Sequence, residues 1–286
     1  MKSLIKQLTP PIMLDLLRRA RRGRQATTIE WEYIPEGWRY AELHPEVRGW
    51  NVDSVLKTYT AKWPRFLEMV RGAGPLGIAH ESALNSAEEI ISHNLVVSFG
   101  YALALAASGR ESVSLLDWGG GIGHYALFAR ALLPGVVVEY HCKDVPLMVA
   151  TGRELLPNDT FYDDEGYLER SYDLVFASGS LHYSEDWAAL LSKLAGVTAR
   201  YLCVTRLPTA SHSPSYVFIQ RPYDYGYNTE YLGWCINRSA VMRAAEEAGL
   251  TLVREFLIGE QPLIVGAPEP CQYRGFLFRS PNTSFE

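Results

Sequence analysis

The chain has 286 residues, 48% of them hydrophobic and 21% charged, with a formal net charge of −5. That balance fits one large α/β domain with an N-terminal addition, or two small domains, and argues against an extended nucleic-acid footprint. Cys142, Cys203, Cys235 and Cys271 are far apart with no C-x-x-C pair, so they read as reduced core thiols, and a zinc site has little support.

At the start, Lys2 and Lys6 precede an apolar stretch, but Pro10, Pro11 and Asp15 interrupt it and no cleavage site follows. No secretory signal is read, and a cytoplasmic protein is the expectation. Pro11 to Leu17 can form a short helix. Arg18, Arg19, Arg21, Arg22 and Arg24 then make a basic run, read as a solvated arm or as a surface meeting a membrane or an anionic partner. Trp31, Tyr33, Trp38, Tyr40 and Trp50 fall in a tract broken by proline and glycine, which reads as an ordered loop laid over another surface, either part of a substrate lid or packing for the N-terminus. Val52 to Val70 has helical spacing, with Val55, Tyr59, Trp63, Phe66, Leu67 and Val70 near one face and a break expected near Trp63 because of Pro64. Asn85 or Ser86 can cap a further helix that runs through His93 to about Ala107. Its apolar run from Leu95 is too short to span a bilayer, and no stable membrane insertion is expected.

A regular strand–helix rhythm follows. Strands are expected at Val113–Leu116, Val136–His141, around Phe161, at Tyr172–Ala177 and at Tyr201–Thr205, with helices at Ala126–Leu133 and Trp187–Leu194 between them. β-branched runs separated by helices indicate a mostly parallel sheet covered on both faces. Leu207 to Asn237 is rich in Pro, Tyr and Ser and reads as a lid or substrate wall at the carboxyl end of the sheet. A helix at Ala240–Ala248 and an antiparallel pair, Leu252–Ile258 and Tyr273–Arg279, close the domain.

The chemistry concentrates after the first core strand, where Asp117 precedes Gly119, Gly120, Gly121 and Gly123. Glycines let the backbone turn sharply and lie close to a ligand. The spacing is G-x-G-x-G, and His124 occupies the last glycine position of a dinucleotide G-x-G-x-x-G. No G-K-[ST] ending is present, so the turn suits a nucleotide-type ligand other than one held by its pyrophosphate.

L-L-D-W-G-G-G-I-G-H (115–124), Y-H-C-K-D-V-P (140–146) and Y-D-L-V-F-A-S-G-S-L-H-Y (172–183) together resemble a class I S-adenosylmethionine-dependent methyltransferase. More narrowly, W-E-Y-I-P-E-G-W (31–38), G-W-N-V-D-S-V (49–55) and E-Y-L-G-W-C-I-N-R (230–238) are similar to an uncharacterised bacterial methyltransferase family often linked to polysaccharide or secondary-metabolite clusters. The resemblance implies an α/β Rossmann-like sandwich: a seven-stranded, mostly parallel sheet with a terminal antiparallel hairpin and helices on both faces. It implies a division into an N-terminal extension and helical, aromatic cap (1–85) and a methyltransferase core (86–286) carrying a substrate-lid insertion (207–237). S-adenosylmethionine is the implied cofactor. Asp117 and the Gly119–Gly123 turn would hold its methionine end, and Asp144 its ribose, with Glu139 as a weaker rival. Asp163 or Asp164 would lie near the adenine, and Ser178 and Gly179 at the transferred methyl.

The acceptor is expected to be a small polar molecule, such as a sugar or secondary-metabolite hydroxyl, with nitrogen open as the alternative. An oxygen nucleophile of high pKa profits from a histidine base. His182 is the first candidate and His80, oriented by Glu81, the second; His124 and His93 read as turn and helix residues. Tyr183, Tyr227, Glu230 and Trp234 are candidate acceptor contacts. No metal-ligand set is read. A homodimer through the early helices is compatible with this class of enzyme. A scaffold protein that binds the cofactor without catalysis and a nicotinamide-dependent oxidoreductase are the competing readings.

Overall fold

The computed structural model describes residues 29–77, 90–281 and 283. The expected helix at Pro11–Leu17, the arginines from Arg18 to Arg24, the helix cap at Asn85 or Ser86, and His80 and Glu81 therefore lie outside the described residues. In chain order the elements are β1 (Trp31–Tyr33), α1 (Tyr40–Leu43), α2 (Asp53–Arg71), α3 (Ile90–Ala107), β2 (Ser112–Trp118), α4 (His124–Leu132), β3 (Val137–Lys143), α5 (Pro146–Leu155), β4 (Thr160–Tyr162), β5 (Tyr172–Ser178), α6 (Trp187–Gly196), β6 (Thr198–Ala210), β7 (Tyr216–Gln220), β8 (Tyr231–Asn237), α7 (Arg238–Glu247), β9 (Thr251–Leu257) and β10 (Gln272–Arg279).

The sheet grows outward from β2. It pairs in parallel with β3 on one side and β5 on the other; β4 extends the first side and β6 the second. The chain thus leaves β2 in one direction and later returns in the other, which opens a crevice at the carboxyl end of β2 where ligands of open α/β sheets bind. β10 lies antiparallel between β6 and β9, forming the expected terminal hairpin.

Among the described residues the sheet has ten strands where seven were expected. β6 is 13 residues long and outlasts its partner β5, pairing β8 through Thr209 and Ala210. β7 joins β8 antiparallel, and β1 joins β7. The segment 207–237 therefore carries two further strands as well as its turns. All five residues of β7 are buried. In the sequence, the flanking prolines, serines and tyrosines obscure this short apolar run.

Helices cover both faces because alternate residues of the central strands point opposite ways. On β5, Leu174 and Phe176 pack with Phe99 and Leu103 of α3, Phe128 of α4 and Val55 and Phe66 of α2. Val175 and Ala177 pack on the other side with Leu191 and Leu194 of α6 and Val241 and Ala245 of α7. α2 is not broken: Pro64 lies inside it. Trp63 and Phe66 hold its second half on the core, Phe66 edge-on to Phe128 at 5.1 Å. α3 is 18 residues long with mean hydropathy 1.6, long and apolar enough by composition to cross a membrane, and half of it is buried within the protein.

Phe176 has no solvent exposure and sits 4.8 Å from Phe99 and 4.6 Å from Tyr125, ring centre to ring centre. Phe176→Ala is expected to cost roughly 3–5 kcal/mol, the usual range for removing a buried phenylalanine, and urea denaturation measures it as a lowered midpoint with unchanged slope.

Candidate active site

The β2–α4 turn is built of backbone. Gly119, Gly121 and Gly123 have φ of +75°, +62° and +96°, a region that side chains rarely adopt. Space is equally restrictive. A Cβ on Gly119 would strike the Ser180 Cβ, one on Gly120 would strike the Asp117 carboxylate, and one on Gly121 would lie 2.9 Å from Tyr59 Cε1.

Two carboxylates flank the turn. Asp117 is buried beneath it; its Oδ2 accepts a 2.6 Å hydrogen bond from Tyr140, and its buried Oδ1 has no hydrogen-bond partner. Burial pushes its pKa up to about 7, the Tyr140 hydrogen bond opposes this and the nearby Asp144 charge adds to it. Asp144 follows β3. Its Oδ2 accepts from the Gly121 N–H at 2.7 Å and its Oδ1 from the Val145 N–H at 2.6 Å. Burial raises the Asp144 pKa, and the two amide hydrogen bonds pull against that. Glu139, the rival, lies half-exposed in a 3.3 Å ion pair with Arg170, away from the turn.

Two adjoining cavities open over these strand ends. The larger, about 320 Å³, has Trp50, Trp118, Asp144, Met148, Gly179 and Tyr183 in its wall. The smaller, about 80 Å³, reaches behind the turn to Ser92, Tyr125 and Arg206. Tyr59, Gly119, Gly121 and Ser178 belong to both walls, and Gly120 to the smaller. The structure thus brings Gly119, Gly120, Gly121, Asp144, Ser178, Gly179 and Tyr183 together, with Asp117 directly beneath.

The remaining expected residues stand apart from these walls. Gly123 faces Leu156 and Phe161. Asp163 pairs with Arg153 at 3.2 Å, and Asp164 accepts from the Gly166 N–H at 2.9 Å. Tyr227 is buried with its ring 5.9 Å from Trp50. Glu230 accepts from Tyr223 and pairs with Arg221 at 3.4 Å. The Trp234 indole donates to the Glu185 carbonyl at 3.0 Å. These three of the four acceptor candidates lie on β8 or its approach and make the contacts just given, outside the two cavity walls. His182 is 1% exposed, its ring 4.0 Å from Tyr183 and 6.3 Å from both Phe218 and Tyr273. It supports the wall from behind, because Tyr183 from the same short turn takes the cavity-facing place. Trp50, Lys143, Ser92 and Arg206 were not assigned to the site from sequence; only Trp50 lay in a tract already marked by its aromatics.

No family model matches the chain, and no curated protein matches it in sequence. Among solved structures, it is similar to a protein from Galdieria sulphuraria provisionally described as a sarcosine dimethylglycine methyltransferase: TM-score 0.51, 17% identity, covering 81% of this chain and 99% of that one. An uncharacterised ACR-superfamily protein from Burkholderia thailandensis has TM-score 0.51 and 12% identity, covering 83% of this chain and 96% of that one. With the strand order described above, these likenesses decide the fold. The chain has the class I methyltransferase fold. In this fold the cavities lie where the parallel strands end and the strand order reverses.

The buried Asp117 makes a pH prediction. Its folded pKa of about 7 lies above the unfolded value, so between about pH 4 and pH 7 the folded state binds more protons and stability falls as pH rises. The shift corresponds to roughly 4 kcal/mol across that window. Asp117→Asn removes this contribution. The parent's melting temperature, measured against that variant's, should therefore drop from pH 4.5 to about pH 7 and level off above it; a constant difference would contradict the assignment.

Proposed function

We propose that this protein is an S-adenosylmethionine-dependent methyltransferase acting on an oxygen of a small polar acceptor, a sugar or natural-product hydroxyl, in the cytoplasm. The observation that carries the reading is Asp144, a half-buried carboxylate fixed by two backbone amides at the wall of a cavity beside a side-chain-free turn. Each carboxylate oxygen can accept more than one hydrogen bond, so Asp144 is suited to a ribose diol as well as to its amides. The unpartnered Oδ1 of Asp117 and the cradle at Gly119–Gly121, which any Cβ would fill, fit the charged tail of the same ligand. The four cysteines, all buried and free, support a reducing compartment.

When bound, the cofactor supplies an electrophilic methyl on a sulfonium centre. The chain's part is alignment and proton handling. Asp144 and the glycine turn fix the ligand, Ser178 and Gly179 bound the space beside it, and Trp50, Tyr59 and Tyr183 shield it from water. His182 keeps Tyr183 in place. The proton acceptor in this proposal is His80, the second histidine candidate of the sequence, which leaves His182 a positioning residue.

Asp144→Asn keeps the shape and one acceptor oxygen while removing the charge. It is expected to weaken S-adenosylhomocysteine binding at least tenfold by calorimetry, about 1.4 kcal/mol, and affinity equal to the parent's would refute the assignment. His80→Ala is expected to lower kcat at least a hundredfold and to abolish the acidic limb of the pH–rate profile, with S-adenosylhomocysteine affinity unchanged. An unaltered profile would remove His80 from proton transfer.

A further inference from the structure

The solvent side of α3 is apolar. No residue from Ile90 to Ala107 is charged. The exposed positions of the helix are Ile90, His93, Val97, Tyr101 and Ala104, which follow in steps of three and four and so form one stripe. Ile90, Val97 and Tyr101 are 73%, 56% and 41% exposed. Leu132 of α4, beside Gly100, flanks the stripe on one side, and Phe256 of β9, 5.7 Å from the Tyr101 ring, on the other. The outer faces of α2 and α7 instead carry Asp53, Lys57, Arg243 and Glu246. A helix that is apolar on every side is ordinarily covered on every side, because each apolar group left in water forfeits the gain of burial.

The chain itself supplies a complementary face. Ile12, Met13, Leu16, Leu17 and Ala20 fall at i, i+1, i+4, i+5 and i+8, one side of a helix, and Pro11 stands at a favourable first position. Asp15, Arg18, Arg19 and Arg22 fall away from that side. The described residues begin at Ile29, and two residues on, Trp31 packs in one cluster with Ile91 and Leu95 of α3. The chain therefore arrives already beside the helix. Between Ala20 and Ile29 it can extend about 30 Å. That exceeds the length of α3, about 27 Å for its 18 residues. Nine residues of helix measure about 13 Å, enough to lie over the roughly 10 Å from Val97 to Ala104. Charge acts in the same direction. Residues 1–28 hold seven Lys and Arg and one Asp, a net +6, which leaves −11 on the rest of a chain whose total is −5.

We infer that residues 12–20 dock, in the same chain, along the stripe of Val97, Tyr101 and Ala104, with their apolar side inward and the arginines outward. On its opposite side α3 lines the smaller cavity through Ser92, Leu95 and Val96. The segment thus braces a cavity wall from behind without entering the cavity.

Hydrogen–deuterium exchange of the full chain tests this. A nine-residue helix does not persist alone in water, so slowed exchange in residues 12–20 reports docking. In the parent these amides should exchange at least tenfold more slowly than in a free peptide of residues 1–28. Val97→Asp, at a position more than half exposed, should reduce that protection at least fivefold and leave exchange in β2 unchanged. Tyr101→Ser, a milder change, carries the same expectation if Val97→Asp does not fold. Leu16→Asp should act from the other side, and combined with Val97→Asp it should lose no more protection than either alone. Protection that is absent in the parent, or indifferent to both α3 variants, overturns the inference. Protection that grows with protein concentration, alongside a dimer in sedimentation, places a second copy on the stripe and overturns it too. So does protection that arises only with phosphatidylglycerol vesicles, which assigns the segment to a membrane surface.

Discussion

The backbone of Gly119, Gly120 and Gly121 lies against several side chains at once, and the site takes its shape from that contact. With no Cβ in the way, Ser180 approaches closely enough to donate to the Trp118 carbonyl at 2.8 Å. The Gly121 N–H reaches Asp144, the Gly119 N–H reaches the Lys143 carbonyl at 2.7 Å, and the Tyr59 ring covers the turn. The ends of β2, β3 and β5 are thereby locked around one point. Asp117 is sealed under the turn by the same packing, and the elevated pKa of its carboxyl is the electrostatic cost of that burial.

The central fold was legible because its signals are local. An apolar strand running into glycines, an acidic residue at the end of the next strand, and alternating apolar runs each follow from a few neighbouring residues. The positions of Asp144, Ser178 and Gly179 at the strand ends follow in this way, since a residue just past a parallel strand has little choice about where it stands. Other features depend on contacts remote in sequence. β7 and β8 are strands because they pair with each other, β8 also with the far end of β6 and β7 with β1, and nothing within Tyr216–Gln220 announces those partners. His182 read as a residue at the mouth of β5; the neighbouring Tyr183 took that place, and space beneath it, cleared in part by Gly233, received the imidazole. Ser92 sits in an apolar helix and Arg206 in an apolar strand, where single polar residues are easily passed over. Their shared place in a cavity wall emerges only once both elements are packed.

β6 is the axis on which the two parts of the sheet join. Its first half completes the parallel sheet, its second half founds the antiparallel extension, and a β-bulge at Arg206, opposite Gly275, marks the change of partner. A single irregularity thus serves two ends. It lets one strand belong to two pairings, and it turns a cation from the sheet toward the cavity. The Arg206–Glu260 pair also ties this point to the segment between β9 and β10, so the bulge is braced from outside the strand that contains it.

The placement of β1 and α2 bears on how the chain can be divided. The Rossmann-like part runs continuously in sequence from α3 onward, which invites a cut in front of it. Such a cut would strip β7 of its outer neighbour, leaving the buried strand Tyr216–Gln220 with an open edge of the kind that templates aggregation. It would also withdraw Val55 and Phe66, which have no solvent exposure, from the packing behind Phe128, and remove Tyr59 from the roof of the glycine turn. A truncated product would be an incomplete body with a sticky margin and an uncovered ligand crevice. For fragment design, circular permutation or fusion, the aromatic segment before α3 has to travel with the sheet it covers.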